Sequence, residues 1–112
     1  VKIKGKGKGG RNQEFALHFI KNIRKSLSNL KFTLLSAGTD GRDGPTNAAG
    51  AIVSLDTYKK LSRNGIELSQ ILENNDSYSA LKITGDLLLT GGTGTNVADI
   101  QIFLRSPMNS QS

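Results

Sequence analysis

The chain has 112 residues, 36% of them hydrophobic, and no cysteine. That length suits one domain and leaves no room for a second independent core; a disulfide framework, a thiolate metal site and a cysteine nucleophile are excluded. The formal charge of +6 is unevenly spread: residues 1–31 carry nine Lys/Arg against one acid, Glu14, and the remainder carries six basic and eight acidic residues.

Val1 to Lys8 alternates, with Val1, Ile3, Gly5 and Gly7 on one face and four lysines on the other, the period of a half-solvated strand. Opening in mid-strand gives the expectation of a domain excised from a longer protein. Gly9-Gly10 then leads into a helix expected over residues 11–29, whose apolar stripe is Ala16, Phe19, Ile20, Ile23, Leu27 and Leu30. Phe32 to Ala37 suits a buried strand. Gly38 to Thr46, with three Gly, one Pro and two Asp, reads as a specified loop. Asn47 to Val53 is small and apolar and fits either a strand or a close-packed helix. Asp56 is an expected N-cap for a helix through Asn64, closed by Gly65. A further helix is expected over Leu68–Glu73, a break at Asn74–Ser77, and one or two turns over Tyr78–Thr84. Leu87–Leu89 reads as a strand, Thr90–Asn96 as a glycine-threonine loop and Ile100–Leu104 as the last strand, followed by a polar tail over 106–112.

This order predicts a single small α/β domain over residues 1–105, with helices packed on a mixed or mostly parallel sheet. Three Gly-rich loops, Gly5–Arg11, Gly38–Thr46 and Thr90–Asn96, each follow an expected strand, so they are expected to share one face, where α/β proteins bind ligands.

Gly5-x-Gly7-x-x-Gly10 matches the dinucleotide fingerprint in letters, but no acidic residue stands at the required distance. Its mechanical content remains: Gly9, Gly10 and the helix start offer N–H groups to an anion. Arg11 at that start opposes the helix dipole, and is explained either by a bound anion or by pairing with Asp40 or Asp43. Asp40 and Asp43, three apart, lack the register and closing Glu of a calcium loop. They fit a catalytic or Mg²⁺-phosphate role, or turns that hold the loop. Thr90-Gly-Gly-Thr-Gly-Thr-Asn96 lacks a P-loop's Lys-Ser/Thr ending. His18, the one histidine, reads as a boundary residue on its helix, and Asn75-Asp76-Ser77 is a sequon in letters only. No apolar run is long enough to cross a bilayer, and no signal peptide is legible.

GKGKGGRNQEFAL, SAGTDGRDGPTNAAGA, NNDSY and TGGTGTNVADIQI, in this order, resemble the C-terminal MOFRL domain of class II glycerate 2-kinases over residues 5–104. Gly92 departs from the family, which often has a larger residue there. The resemblance implies an intracellular enzyme, cytoplasmic or mitochondrial. It would transfer the γ-phosphoryl of ATP, with Mg²⁺, to the 2-hydroxyl of D-glycerate. The cleft would be shared with an N-terminal Rossmann-like domain not present in this chain, and the fragment alone would be inactive. It implies catalytic roles for Arg11, Asp40 and Asp43. Substrate or phosphate contacts are implied at Gly9, Gly10, Asn12, Glu14, Thr39, Thr93, Thr95 and Asn96, with metal ligands unassigned. Two other classes compete. Lys2, Lys4, Lys6 and Lys8 favour a basic anion- or nucleic-acid-binding module, against which stand 5% aromatics and an acidic remainder. A hydroxypyruvate reductase lacks a cofactor fingerprint. Neither nucleic acid nor membrane is expected as a partner.

Overall fold

A computed structural model describes residues 8–23, 30–39, 41, 43–44, 46–91 and 98–107. Its elements run α1 (Arg11–Ile23), β1 (Leu30–Gly38), β2 (Gly50–Ser54), α2 (Leu55–Arg63), α3 (Leu68–Glu73), α4 (Ser77–Thr84), β3 (Leu87–Leu88) and β4 (Asp99–Pro107). Residues 1–7 of the expected first strand and the continuation of α1 beyond Ile23 lie outside the described residues.

The four strands form one sheet in the order β3-β2-β1-β4. Among the described residues every pairing is antiparallel, with Leu35 opposite both Ile52 on β2 and Ile102 on β4. The expectation of a mostly parallel or mixed sheet is therefore corrected. A parallel pair needs a crossover, usually helical; β1 and β2 are instead joined by the loop over residues 39–49, which reverses the chain. The ambiguous Asn47–Val53 stretch supplies β2, not a helix.

Helices cover one face of this sheet. Ala16, Leu17 and Ile20 of α1 are fully buried against Phe32 and Leu34 of β1 and Ala51 and Val53 of β2. Burying a side chain such as Leu17 or Ile20 contributes about 1.5–3 kcal/mol. Leu61, Leu68, Leu72, Ala80 and Leu81 bring α2, α3 and α4 into the same core. At the β4 edge Phe103 meets Phe19 edge to face at 5.3 Å, and Phe19 meets Phe32 at 5.7 Å.

Two local expectations change. The N-cap of α2 is Ser54, not Asp56; its N–H donates to Thr57 Oγ1 at 3.0 Å, and Asp56 lies in the first turn. β4 also runs through Pro107, into the segment read as a polar tail, because it pairs along all of β1, out to Leu30 opposite Pro107.

The antiparallel register gathers four chain ends at one end of the sheet. β1 and β3 finish there, and β2 and β4 begin there, with Gly38 opposite Asp99 and Gly50 opposite Leu88. The described ends of the 39–49 loop and of the connection from β3 to β4 thus lie together, placed so by hairpin reversal and not by a parallel sheet.

Candidate active site

The N-terminus of α1 points to this end of the sheet, and its amide donors are taken by the chain itself. Asp43 accepts the Asn12 N–H on Oδ1 at 2.9 Å and the Gln13 N–H on Oδ2 at 2.8 Å. These are the second and third residues of α1, whose N–H groups have no partner within a helix. The carboxylate is 2% exposed. Asp43 therefore stands where a bound phosphate would stand at a helix start.

Gly10 makes this possible. A Cβ on Gly10 would overlap the backbone and carboxyl carbon of Asp43, so only glycine admits the carboxylate to the helix end. The same packing removes the dinucleotide reading of Gly5-x-Gly7-x-x-Gly10, because the place of the pyrophosphate is filled.

Asn12, also 2% exposed, is the hub. Its Nδ2 donates to Asp99 Oδ1 at 3.0 Å and to Asp43 Oδ1 at 3.3 Å, while its Oδ1 accepts the Ser36 hydroxyl at 2.6 Å. Gln13 Nε2 donates to Thr46 Oγ1 at 3.0 Å, and Thr46 Oγ1 donates to the Asp43 carbonyl at 2.8 Å. One buried polar network thus fastens α1, β1, the 39–49 loop and the start of β4 together.

Arg11 is held differently. Its Nε donates to Asp99 Oδ2 at 2.7 Å while its side chain stays 71% exposed. Of the two carboxylates considered for pairing, Asp43 is taken up by the helix amides and Asp40 lies outside the described residues; Arg11 Nε is held by Asp99. The Asn12 amide and the Arg11 guanidinium, both donating to Asp99, hold its carboxyl below the usual aspartate range. Asp43 at the helix end offsets the dipole that a cation at this position opposes.

Thr39 lies beside these residues. Its N–H donates to the Ala98 carbonyl at 2.7 Å and its Oγ1 accepts the Ala98 N–H at 3.0 Å, extending the β1–β4 ladder by one residue. Gly41 abuts Gly91, so the two ends of the glycine-threonine loop both touch the 39–49 loop. Asp40, Thr93, Thr95 and Asn96 lie outside the described residues.

Glu14 faces another way, towards Ser77 at the start of α4, and Gly9 lies between the two, close to Ser77 on one side and, through its carbonyl, to Gly44 of the 39–49 loop on the other. Burial pushes the Glu14 carboxyl above the usual glutamate range. The NNDSY segment holds the entry to α1. Lys8 N–H donates to Asp76 Oδ1 at 3.2 Å, Tyr78 N–H donates to the Lys8 carbonyl at 2.8 Å, and the Lys8 ammonium lies 4.7 Å from the Tyr78 ring centre. The Tyr78 hydroxyl donates to Asn47 Oδ1 at 2.8 Å. His18 is exposed on α1.

The structure therefore joins Gly9, Gly10, Arg11, Asn12, Thr39 and Asp43 and sets Glu14 to one side. Reading the sequence by residue type overlooked Asp99, Ser36 and Thr46. Ser36 carried a signal: it is a polar residue in phase with Phe32 and Leu34 on the core side of β1. Asp99 carried none, since its role depends on register across the sheet.

These features define an α/β domain whose loop end presents a braced arginine on a helix start that is already capped. The chain belongs to the MOFRL family, whose model matches residues 1–99. It is similar to the D-glycerate 2-kinase of Thermotoga maritima, 53% identical over 105 residues that cover 93% of this chain and 24% of the relative. It is also similar to the glycerate 2-kinase of Pyrococcus horikoshii, at 50% identity over 91% of this chain and 22% of the relative. The crystal structure of the Thermotoga maritima glycerate kinase superimposes with a TM-score of 0.84 over 93% of this chain and 24% of that one. This chain thus spans about a quarter of the length of the curated relatives it matches. No helix among the described residues is long and apolar enough to cross a membrane.

Proposed function

We propose that this chain is the C-terminal part of a glycerate 2-kinase and forms one wall of the cleft in which the γ-phosphoryl of ATP passes to the 2-hydroxyl of D-glycerate. The observation that carries this is the division of labour at α1: Asp43 satisfies the helix amides, and Asp99 holds the Arg11 side chain out into solvent. Phosphoryl transfer requires positioning and neutralisation of spread negative charge more than covalent help. A guanidinium does both, because its fork meets a carboxylate or a phosphoryl group in two parallel hydrogen bonds.

In this reading Arg11 is the catalytic residue of the domain and contacts the glycerate carboxylate or the transferring phosphoryl group. Asp43, Asp99 and Asn12 are positioning residues: the first fixes the helix end, the second aims the guanidinium and the third couples them. Gly9 and Gly10 give the backbone close approach, and Glu14 supports that segment from the side of Ser77. Thr39 lines the substrate side, and Asp40, Thr93, Thr95 and Asn96 are assigned substrate contacts on the family resemblance alone. The rest of the site comes from the larger N-terminal portion of the protein, inside the cell.

The described residues do not fit a Mg²⁺ site. No three Asp, Glu or His groups converge among them, and both Asp43 oxygens accept amide N–H groups, so no step is assigned to the metal.

The test is Arg11→Ala in the full-length protein, assayed for ATP-dependent phosphorylation of D-glycerate. A fall in kcat/KM of at least ~100-fold is expected for a lost contact to transition-state charge. A fall below about threefold makes Arg11 structural.

A further inference from the structure

The two faces of the sheet are treated differently. Among the described residues helices cover one, and the other carries Leu35 of β1, Ile52 of β2 and Ile100, Ile102 and Leu104 of β4. Register sets Ile52, Leu35 and Ile102 side by side across three strands, with Ile100 opposite Ala37 and Leu104 opposite Thr33 in the flanking rows. Ile52 is 38% exposed, Ile100 43%, Ile102 48% and Leu104 65%.

An antiparallel sheet with one wet face carries polar residues on that face. β4 does the reverse. Its polar Gln101 lies on the helix side, where its amide donates to Ser36 Oγ at 3.4 Å, and its branched apolar residues lie on the open side. The rows Ile52–Leu35–Ile102 and Ala37–Ile100 contain no charge. A contiguous apolar area of this kind is normally covered by protein.

We infer that this face is a seam packed against an uncharged, apolar surface of the remaining polypeptide of the longer protein. The inference rests on the reading above in one respect, that a larger chain contains this one. The occupant follows from length, because the matched region makes up only 24% and 22% of two relatives, so each has several times this much chain available to cover the sheet. The seam also leaves the site open. The face lies along the strands, whereas Arg11 and the 39–49 loop lie at their end, so covering one does not obstruct the other.

The experiment introduces Ile102→Cys, and separately Ile52→Cys, into the full-length protein and follows modification by a maleimide, mapped by peptide mass spectrometry against the urea-unfolded protein. Cys at either position is expected to react at least ~100-fold slower in the native protein, as for a site exposed only by local opening. Ser62→Cys, on the exposed side of α2, reports the rate on the helical layer. Native rates within about tenfold of the unfolded rate at both positions would overturn the seam. Protection that vanishes on dilution, as a dimer becomes a monomer, would make the occupant a second copy and overturn it equally. Protection in a protein without glycerate kinase activity would sustain the seam and remove the functional reading.

Discussion

Gly10 lies so close to Asp43 that no side chain fits between them, and this contact admits the carboxylate to the first turn of α1. Gly10→Ala is expected to force the 39–49 loop off the helix end. Overpacking of this kind costs about 1–3 kcal/mol, and the cap weakens as well. Thermal or urea unfolding of the full-length protein would measure it; an unchanged midpoint would show that the loop can yield.

Removing the cap tests the same relationship from the other side. Asp43→Ala leaves the Asn12 and Gln13 N–H groups without their acceptor, and losing a cap costs about 0.5–2 kcal/mol, more where the orphaned groups stay buried. Asp43→Asn keeps one acceptor oxygen but turns an NH₂ group towards an N–H, so an intermediate loss is expected. Equal stability of all three proteins would contradict the capping role.

Asp99 acts through Arg11, which predicts non-additivity. Asp99→Asn is expected to lower kcat/KM by about tenfold in the full-length protein, and Arg11→Ala with Asp99→Asn together should be no worse than Arg11→Ala alone. A structural Asp99 would instead add its loss to that of Arg11, in a double-mutant cycle read by kinase assay.

The two shifted carboxyls give opposite signs with pH. Asp99 should titrate below the usual aspartate range, because Asn12 and Arg11 hold its charged form. Its contribution to stability is present above the unfolded pKa and is lost as pH falls through the lower folded one. Glu14 should titrate above the usual glutamate range because burial disfavours its charge, so ionising it destabilises the fold as pH rises from the unfolded pKa through the folded one. Carboxyl ¹³C shifts followed by NMR would check both, and the Asp99 midpoint should rise in Arg11→Ala.

The elements whose signal is local were legible in advance. α1 follows from the spacing of Ala16, Ile20 and Ile23, and α3 runs over Leu68–Glu73 as read. Strand direction was not legible, because alternation says which face a residue takes and nothing about its neighbour. Arg11 was singled out by its conflict with the helix dipole, which is a local argument. Its partner could not be, because Asp99 stands 88 positions away and becomes a neighbour only through the pairing of Gly38 with it. The NNDSY segment carried the family resemblance but no legible role of its own, because Asp76 and Tyr78 act on Lys8, across the fold.

The strand order has a kinetic consequence. β3 and β4 are consecutive in the chain yet occupy opposite edges of the sheet, so the chain between them must travel the width of three strand spacings, about 14 Å, before β4 can zip onto β1. Pairings of such long range form late in folding. A ribosome would have to release residues 99–107 before Arg11 met its brace, so a chain interrupted before that point would retain much of the helical core and have no aimed guanidinium.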